Sequence, residues 1–223
     1  KSSLFLEPLA LKKLQRRRRN NMNDTKSMIK NALILFAITL VAGVLLGIVY
    51  QVTKDPIAYQ EKLAQDKANQ SVFAAAATFG DVEVDEAAAG QAVASVAGVT
   101  IESVKEAVDA SGTALGYVIQ VKSKGYGDFI TYTVGITNDG NVNGISIISI
   151  AETPGLGMNA EKVIVPQFVD RKAQQFTVVK NGQLTDSATQ IEAISGATIT
   201  SRAVTNGVNA AVNYFESVLK GGQ

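Results

Sequence analysis

Apolar positions fall into three patterns along the chain, and each predicts a different element. Ala32–Tyr50, ALILFAITLVAGVLLGIVY, is an unbroken run of 19 uncharged residues. At about 1.5 Å per residue, a helix of that length crosses the hydrocarbon core of a bilayer. From about Pro56 to Ala77, apolar residues recur at helical spacing among Gln, Glu, Lys and Asp, as in an amphipathic stalk. From Ala114 the period drops to two. LGYVIQVKS, FITYTVGI and VNGISIISIA alternate and are rich in β-branched residues, which predicts strands. TNDGNV reads as the hairpin turn between the last two, with Asp139 and Gly140 at positive φ. FTVVKNGQ is a further strand-like stretch, whereas the alanine-rich, acidic DVEVDEAAAGQAVASV reads as small-residue helix or linker. A last helix is predicted from about Arg202 to Leu219, with Val204, Val208, Val212, Phe215 and Leu219 as its buried stripe. Strands in a meander with helices at the ends make an α+β domain, an antiparallel sheet with flanking helices behind one transmembrane helix.

The expected division is therefore 1–31 as a basic N-terminal segment, 32–50 as the membrane span, 51–78 as a helical stalk and 79–223 as the folded domain. A cleaved signal peptide would show small residues in an A-x-A arrangement after a shorter apolar run. Gln51, Val52, Thr53 and Lys54 follow instead, so the span is expected to be retained. Before Ala32 stand nine basic and two acidic residues, whereas the remainder of the chain is acidic. The positive-inside rule then places the N-terminus in the cytoplasm and the domain on the extracytoplasmic side of the cell membrane. The run Arg16–Arg19 reads as part of this topology signal and not as a nucleic-acid patch, so no nucleic-acid partner is expected. QRRRRNNM is also what a purine-rich ribosome-binding site yields on translation, which would make residues 1–21 non-native and Met22 the start. Gly43 and Gly47, with Thr39 one turn earlier, form a small-residue face suited to docking on another helix in lipid.

Composition removes whole classes of chemistry. The chain has no Cys and no His. It therefore lacks thiolate nucleophiles, disulfides, Fe–S ligation, an imidazole base and His-held haem, copper or zinc. Redox work would have to ride on an organic cofactor. No catalytic acid–base pair and no metal site are predicted.

The hydroxyl-rich AISGATITSRAV, Ala193–Val204, stands where the last helix begins. A helix start exposes unpaired N–H groups and the positive end of the dipole, which suits a phosphate. Gly196 permits close approach or positive φ, Thr198 offers a hydroxyl beside such a site, and Thr200 or Ser201 could cap the helix. A well-capped helix after a turn accounts for the same residues.

Ser195-Gly196-Ala197-Thr198 resembles the flavinylation motif of the FMN-binding domain family, D-x-x-[S/T]-G-A-T. ETPGLG (Glu152–Gly157) is similar to that family's second signature, and KGYG (Lys124–Gly127) to its first. With the membrane anchor, the whole resembles the RnfG family, components of the Rnf complexes, which are ion-translocating ferredoxin:NAD⁺ oxidoreductases. NqrC, from the Na⁺-translocating NADH:quinone reductase, is the near relative. Two departures stand out: Glu192 where the motif has Asp, and Asp128 where the family usually has another Gly.

The resemblance implies FMN bound covalently by a phosphoester to Thr198, attached by a separate flavin transferase that uses FAD. It further implies phosphate contacts from Ser195, Gly196, Ala197, Thr200 and Ser201. Pro154, Gly155 and Leu156, with Gly157, would pack one face of the isoalloxazine ring, and Glu152 and Thr153 would reach its polar edge. Lys124, Gly125 and Tyr126 complete the set, Lys124 favouring an anionic reduced flavin. The implied function is electron relay in a redox-driven translocase, with other integral membrane subunits as partners and no independent substrate catalysis. A stand-alone anchored flavoprotein, an NqrC-like component and a non-redox anchored scaffold remain open.

Overall fold

A computed structural model of the protein describes residues 7–172 and 175–220. Lys1, the first residue of the basic segment, lies outside them. The chain divides into two compact units, Lys1–Tyr59 and Gln60–Gln223.

The first unit is helical throughout its described length, as part of α1 (Glu7–Val72). It contains a stretch long and apolar enough to cross a membrane, none of it buried by the rest of the chain. Leu33, Phe36 and Leu46 point outward, where lipid would cover them. The Thr39 hydroxyl donates back to Leu35 O and Phe36 O, so this polar side chain in the middle of the stretch is satisfied within the helix. Pro56, which has no N–H to donate, sits within α1 beyond the span.

In the second unit the strands β1 (Thr78–Val82), β2 (Val99–Val108), β3 (Ala114–Lys124), β4 (Phe129–Thr137), β5 (Asn141–Ser149) and β6 (Arg171–Lys172) form one sheet. They pair antiparallel in chain order, a simple meander. A small parallel pair, β7 (Thr177–Val179) with β8 (Gln190–Glu192), stands apart. The short helix α2 (Glu86–Ala92) separates β1 from β2, its first turn capped by the Asp85 carboxylate.

Both faces of the sheet are covered. On one lie the last turns of α1, where Val72 packs with Phe73 and Ala76 against Ala107 and Val118. Gly135 makes this contact possible, since a Cβ there would stand 2.9 Å from Val72 Cβ. On the other lies α4 (Thr198–Tyr214), with Val204, Val208 and Ala211 buried against Ile119, Val121 and Tyr132. Here Gly207 admits the Tyr132 hydroxyl, which donates to Val204 O at 2.7 Å and meets Ser123 Oγ at 3.1 Å. Burial pushes the Tyr132 phenol well above its ordinary range. The expected stripe of Val204, Val208, Val212, Phe215 and Leu219 is buried, the last two on a single π turn, Phe215–Leu219.

Several expectations need correction. The stalk helix stops at Val72, short of the expected Ala77, and Thr78–Val82, where the expected stalk ends and the alanine-rich stretch begins, forms β1. The linker residues Glu86–Ala92 do form a helix, as one of the alternatives had it. β2 escaped the period-two pattern because register shifts between Ile101 and Ser103 and between Ala107 and Val108 interrupt it. The first shift leaves the buried residues Ile101 and Val104 three apart, as on a helix, whereas Ala107 is buried on the opposite face with Val118. In the β4–β5 turn only Gly140 takes positive φ (81°), and Asp139 does not. The last helix starts four residues earlier than expected, at Thr198.

Candidate flavin site

Two tight turns and one helix end meet beyond the ends of the inner strands β3, β4 and β5. In the first turn, Leu156 N donates to Thr153 O at 3.1 Å, with Pro154 second and Gly155 third at φ 77°. Proline fixes the φ of the second position and glycine supplies the positive φ of the third. In the other, Ala197 N donates to Ile194 O at 3.0 Å, with Gly196 third at φ 78°. The turns touch: a Cβ on Gly196 would stand 3.1 Å from Leu156 Cδ2.

The second turn delivers the chain into α4 with Thr198 as its first residue. Ala197 precedes it at φ −132°, ψ 47°, and no side chain caps this end. That corrects the expectation that Thr200 or Ser201 would cap the helix. Ser201 is fully buried; its hydroxyl donates to Ala197 O at 2.9 Å and accepts from Ile194 N at 3.0 Å. Thr200 is buried as well and donates to Glu152 Oε2 at 2.9 Å. Both hydroxyls are spent on the protein. Thr198 and Ile199 are exposed.

These elements enclose a cleft of about 550 Å³. Its wall is formed by Tyr126, Glu152, Thr153, Leu156, Gly157, Gly196, Ala197, Thr198, Ile199 and Thr200. Most residues singled out in the sequence thus converge, although they come from segments far apart in the chain. Pro154 and Gly155 form the tip of their turn and do not reach the wall; neither do Ser195, Ser201, Lys124 and Gly125. The Lys124 ammonium instead lies 4.9 Å from the centre of the Phe129 ring. Ile199 was missed. Its 55% exposure, at the start of a helix whose other apolar residues are buried, is a tertiary fact that no local pattern carries.

Glu192, at the Asp position of the motif, turns away from the cleft, its carboxylate accepting from Gly182 N. Its backbone is held by Gln167, which accepts from Glu192 N at 2.8 Å and donates to Glu192 O at 3.0 Å.

The donor set fits FMN. First-turn amides of α4 without a side-chain cap, a glycine at positive φ and the positive end of a helix dipole suit a phosphate. Leu156, Ala197 and Ile199 supply an apolar wall for a flat ring.

Comparison with known proteins agrees. Residues 125–213 match the FMN-binding domain, and residues 22–72 match the RnfG N-terminal region. The chain is 34% identical over 203 residues to the G component of the Na(+)-translocating ferredoxin:NAD(+) oxidoreductase complex of Acetobacterium woodii, covering 88% of this chain and 96% of that protein. The chain belongs to the RnfG family of ion-translocating oxidoreductase complexes. A second member, the G component of the proton-translocating ferredoxin:NAD(+) oxidoreductase complex of Clostridium ljungdahlii, is 47% identical over 108 residues, 48% of this chain and 57% of that protein. Among solved structures, NqrC of Shewanella oneidensis is similar at a TM-score of 0.45 and 24% identity, over 52% of this chain and 58% of that one. For this RnfG family member, the matched FMN-binding region contains the whole wall of the cleft.

Proposed function

We propose that the protein relays electrons within a membrane-bound ion-translocating ferredoxin:NAD⁺ oxidoreductase, through FMN joined to Thr198 by a phosphoester. The observation that carries this reading is the place of Thr198. It is an exposed hydroxyl on the first residue of an uncapped helix end, at the wall of a cleft with apolar sides. Bound flavin supplies the redox chemistry, for which the chain itself has no thiol or imidazole.

The chain's own residues hold and orient. First-turn amides of α4 would hold the phosphate oxygens, and charge-assisted bonds of this kind are each worth about 1.5–3 kcal/mol. Leu156 and Ile199 would shield the ring from water, and Thr153 would offer a hydroxyl to its polar edge. Attachment needs a flavin transferase: the Thr198 oxygen takes the place of AMP on the FMN phosphorus of FAD, and the hydroxyl proton leaves with the AMP side. A covalent bond keeps the flavin where diffusion would otherwise remove it. This suits a domain on the extracytoplasmic side, the placement that the basic N-terminal segment supports. A single helix carries no electrons across a bilayer, so an integral partner bearing its own cofactor completes the path.

Co-expression with a flavin transferase tests the reading. The peptide containing Thr198 should gain the mass of FMN less water, and fluorescence should survive denaturing electrophoresis. Thr198→Ala should abolish both and leave the domain folded. Label at Thr200 in that variant, or none in the parent, would overturn the assignment.

A further inference from the structure

A single buried carboxylate links all three segments that wall the cleft. Glu152 is 7% exposed. Its Oε1 accepts from Tyr126 N at 2.8 Å and Gly127 N at 3.1 Å, and its Oε2 accepts from Thr200 Oγ1 at 2.9 Å. The partners lie 26, 25 and 48 residues away in the chain. A buried charge without a cation is tolerated only when donors of this kind satisfy it.

The neighbouring glycines are cut to the same carboxylate. A Cβ on Gly125 would stand 2.0 Å from Glu152 Oε1, and one on Gly157 would stand 2.8 Å from Oε2 and 2.7 Å from Thr200 Oγ1. Neither glycine takes a positive φ, so backbone conformation does not explain them. The space they leave is where the carboxylate lies. Three of its roughly four lone-pair directions are taken by protein donors, which leaves little for a ligand.

We propose that Glu152 is a positioning residue that assembles the flavin cleft. It hangs the Tyr126 loop and the Thr153–Leu156 turn on the first turn of α4, and so sets the gap between the walls. It does not serve as the contact to the ring's polar edge that the sequence suggested. The inference rests on the flavin reading of Thr198 for its purpose, but the tie itself exists in the protein without flavin.

Two substitutions separate geometry from charge. In Glu152→Gln the amide oxygen can keep both backbone donors while its NH₂ donates to the Thr200 hydroxyl, which accepts as readily as it donates. Glu152→Ala leaves two amides and a hydroxyl without their partner. Hydrogen exchange is measured on the full chain in detergent, in a Thr198→Ala background that carries no covalent flavin. The peptide spanning Tyr126 and Gly127 should exchange about tenfold faster in the alanine variant, the consequence of one ordinary hydrogen bond lost. It should stay near the parent in the glutamine variant, with sheet peptides unchanged in both. With Thr198 restored and a transferase supplied, the alanine variant should load FMN more slowly. Its flavin should show weaker visible circular dichroism and lower fluorescence anisotropy, and glutamine should rescue all of these.

Parent-like exchange in the alanine variant would overturn the proposal, as would parent-like loading with unchanged flavin signals. Glutamine behaving as badly as alanine would overturn the hydrogen-bond account. Should the alanine variant fail to fold, Thr200→Val removes one tie only and should give a smaller change in the same signals; no change there would be equally fatal. A parent that takes up no flavin would defeat the reading of Thr198, and the exchange measurements would still decide the tie.

Discussion

A hydrogen atom in place of a methyl decides the geometry around Glu152. At Gly125 the missing methyl would lie 2.0 Å from the carboxylate and 2.8 Å from Asp128 O, so neither the loop nor the acid can yield without breaking a bond. Gly125→Ala is therefore expected to cost about 1–3 kcal/mol of stability, the usual range for overpacking. Denaturant titration of the full chain in detergent would show it as a lower midpoint. Gly43→Ala, where nothing stands within 4 Å in the chain itself, serves as the control. The KGYG block is legible in the sequence as a signature, but its reason is not. Nothing local in Lys124–Gly127 announces that a glutamate 27 residues beyond Gly125 will fill the space above it. The same holds for Ser201, which reads as a helix cap and is in fact a buried bridge between Ile194 N and Ala197 O.

Among the elements, α4 does two jobs. Its first turn faces the cleft and the rest forms the largest single contribution to the core on that side of the sheet. Asn209 fastens it laterally: Nδ2 donates to Phe176 O at 2.9 Å and Oδ1 accepts from Phe176 N at 2.8 Å. This pair mimics a strand's backbone pairing and docks the segment before β7 onto the helix. Asn209→Ala should strand both Phe176 backbone groups in a buried setting and lower stability by about 2–4 kcal/mol, at about 1–2 kcal/mol per group. Thermal unfolding of the full chain would register the drop; an unchanged midpoint would mean that water replaces the amide. Elements were legible where alternation in the sequence held over most of a strand, as in β3, β4 and β5, whose register shifts near its two ends leave Gly144 to Ile147 intact, and along the stripe of α4. They were illegible where a bulge reset the count, as in β2, or where the strand was too short to show a period, as in β1.

At the scale of the whole molecule, the proposed extracytoplasmic placement of the cleft rests on charge. Nine basic residues against two before the span favour a cytoplasmic N-terminus. Lysines of the folded domain, such as Lys124, Lys162 and Lys180, should then react with an impermeant amine reagent on intact cells, and Lys26 and Lys30 should not. Labelling of Lys26 with protection of Lys124 would place the cleft in the cytoplasm. The apolar anchor, the α+β domain and a phosphate-competent helix start were all readable from pattern alone. The convergence of distant loops on one carboxylate was not, because it depends on the fold having closed.

The foot of α1 sets a limit on modularity. Val72 fills the hollow over Gly135, Asn143 Nδ2 donates to Val72 O, and Ala68 is buried nearby, so the final turns of this helix belong to the hydrophobic core of the second unit. An anchor of this design is not an interchangeable tail. A foreign membrane helix could replace the stretch up to Tyr59, but one that ran on through Phe73 would remove Val72 and leave a vacant groove over Gly135 and an exposed sheet. Within the chain itself nothing packs on the span, whereas the few residues from Ala68 to Phe73 are hostage to the sheet beneath them.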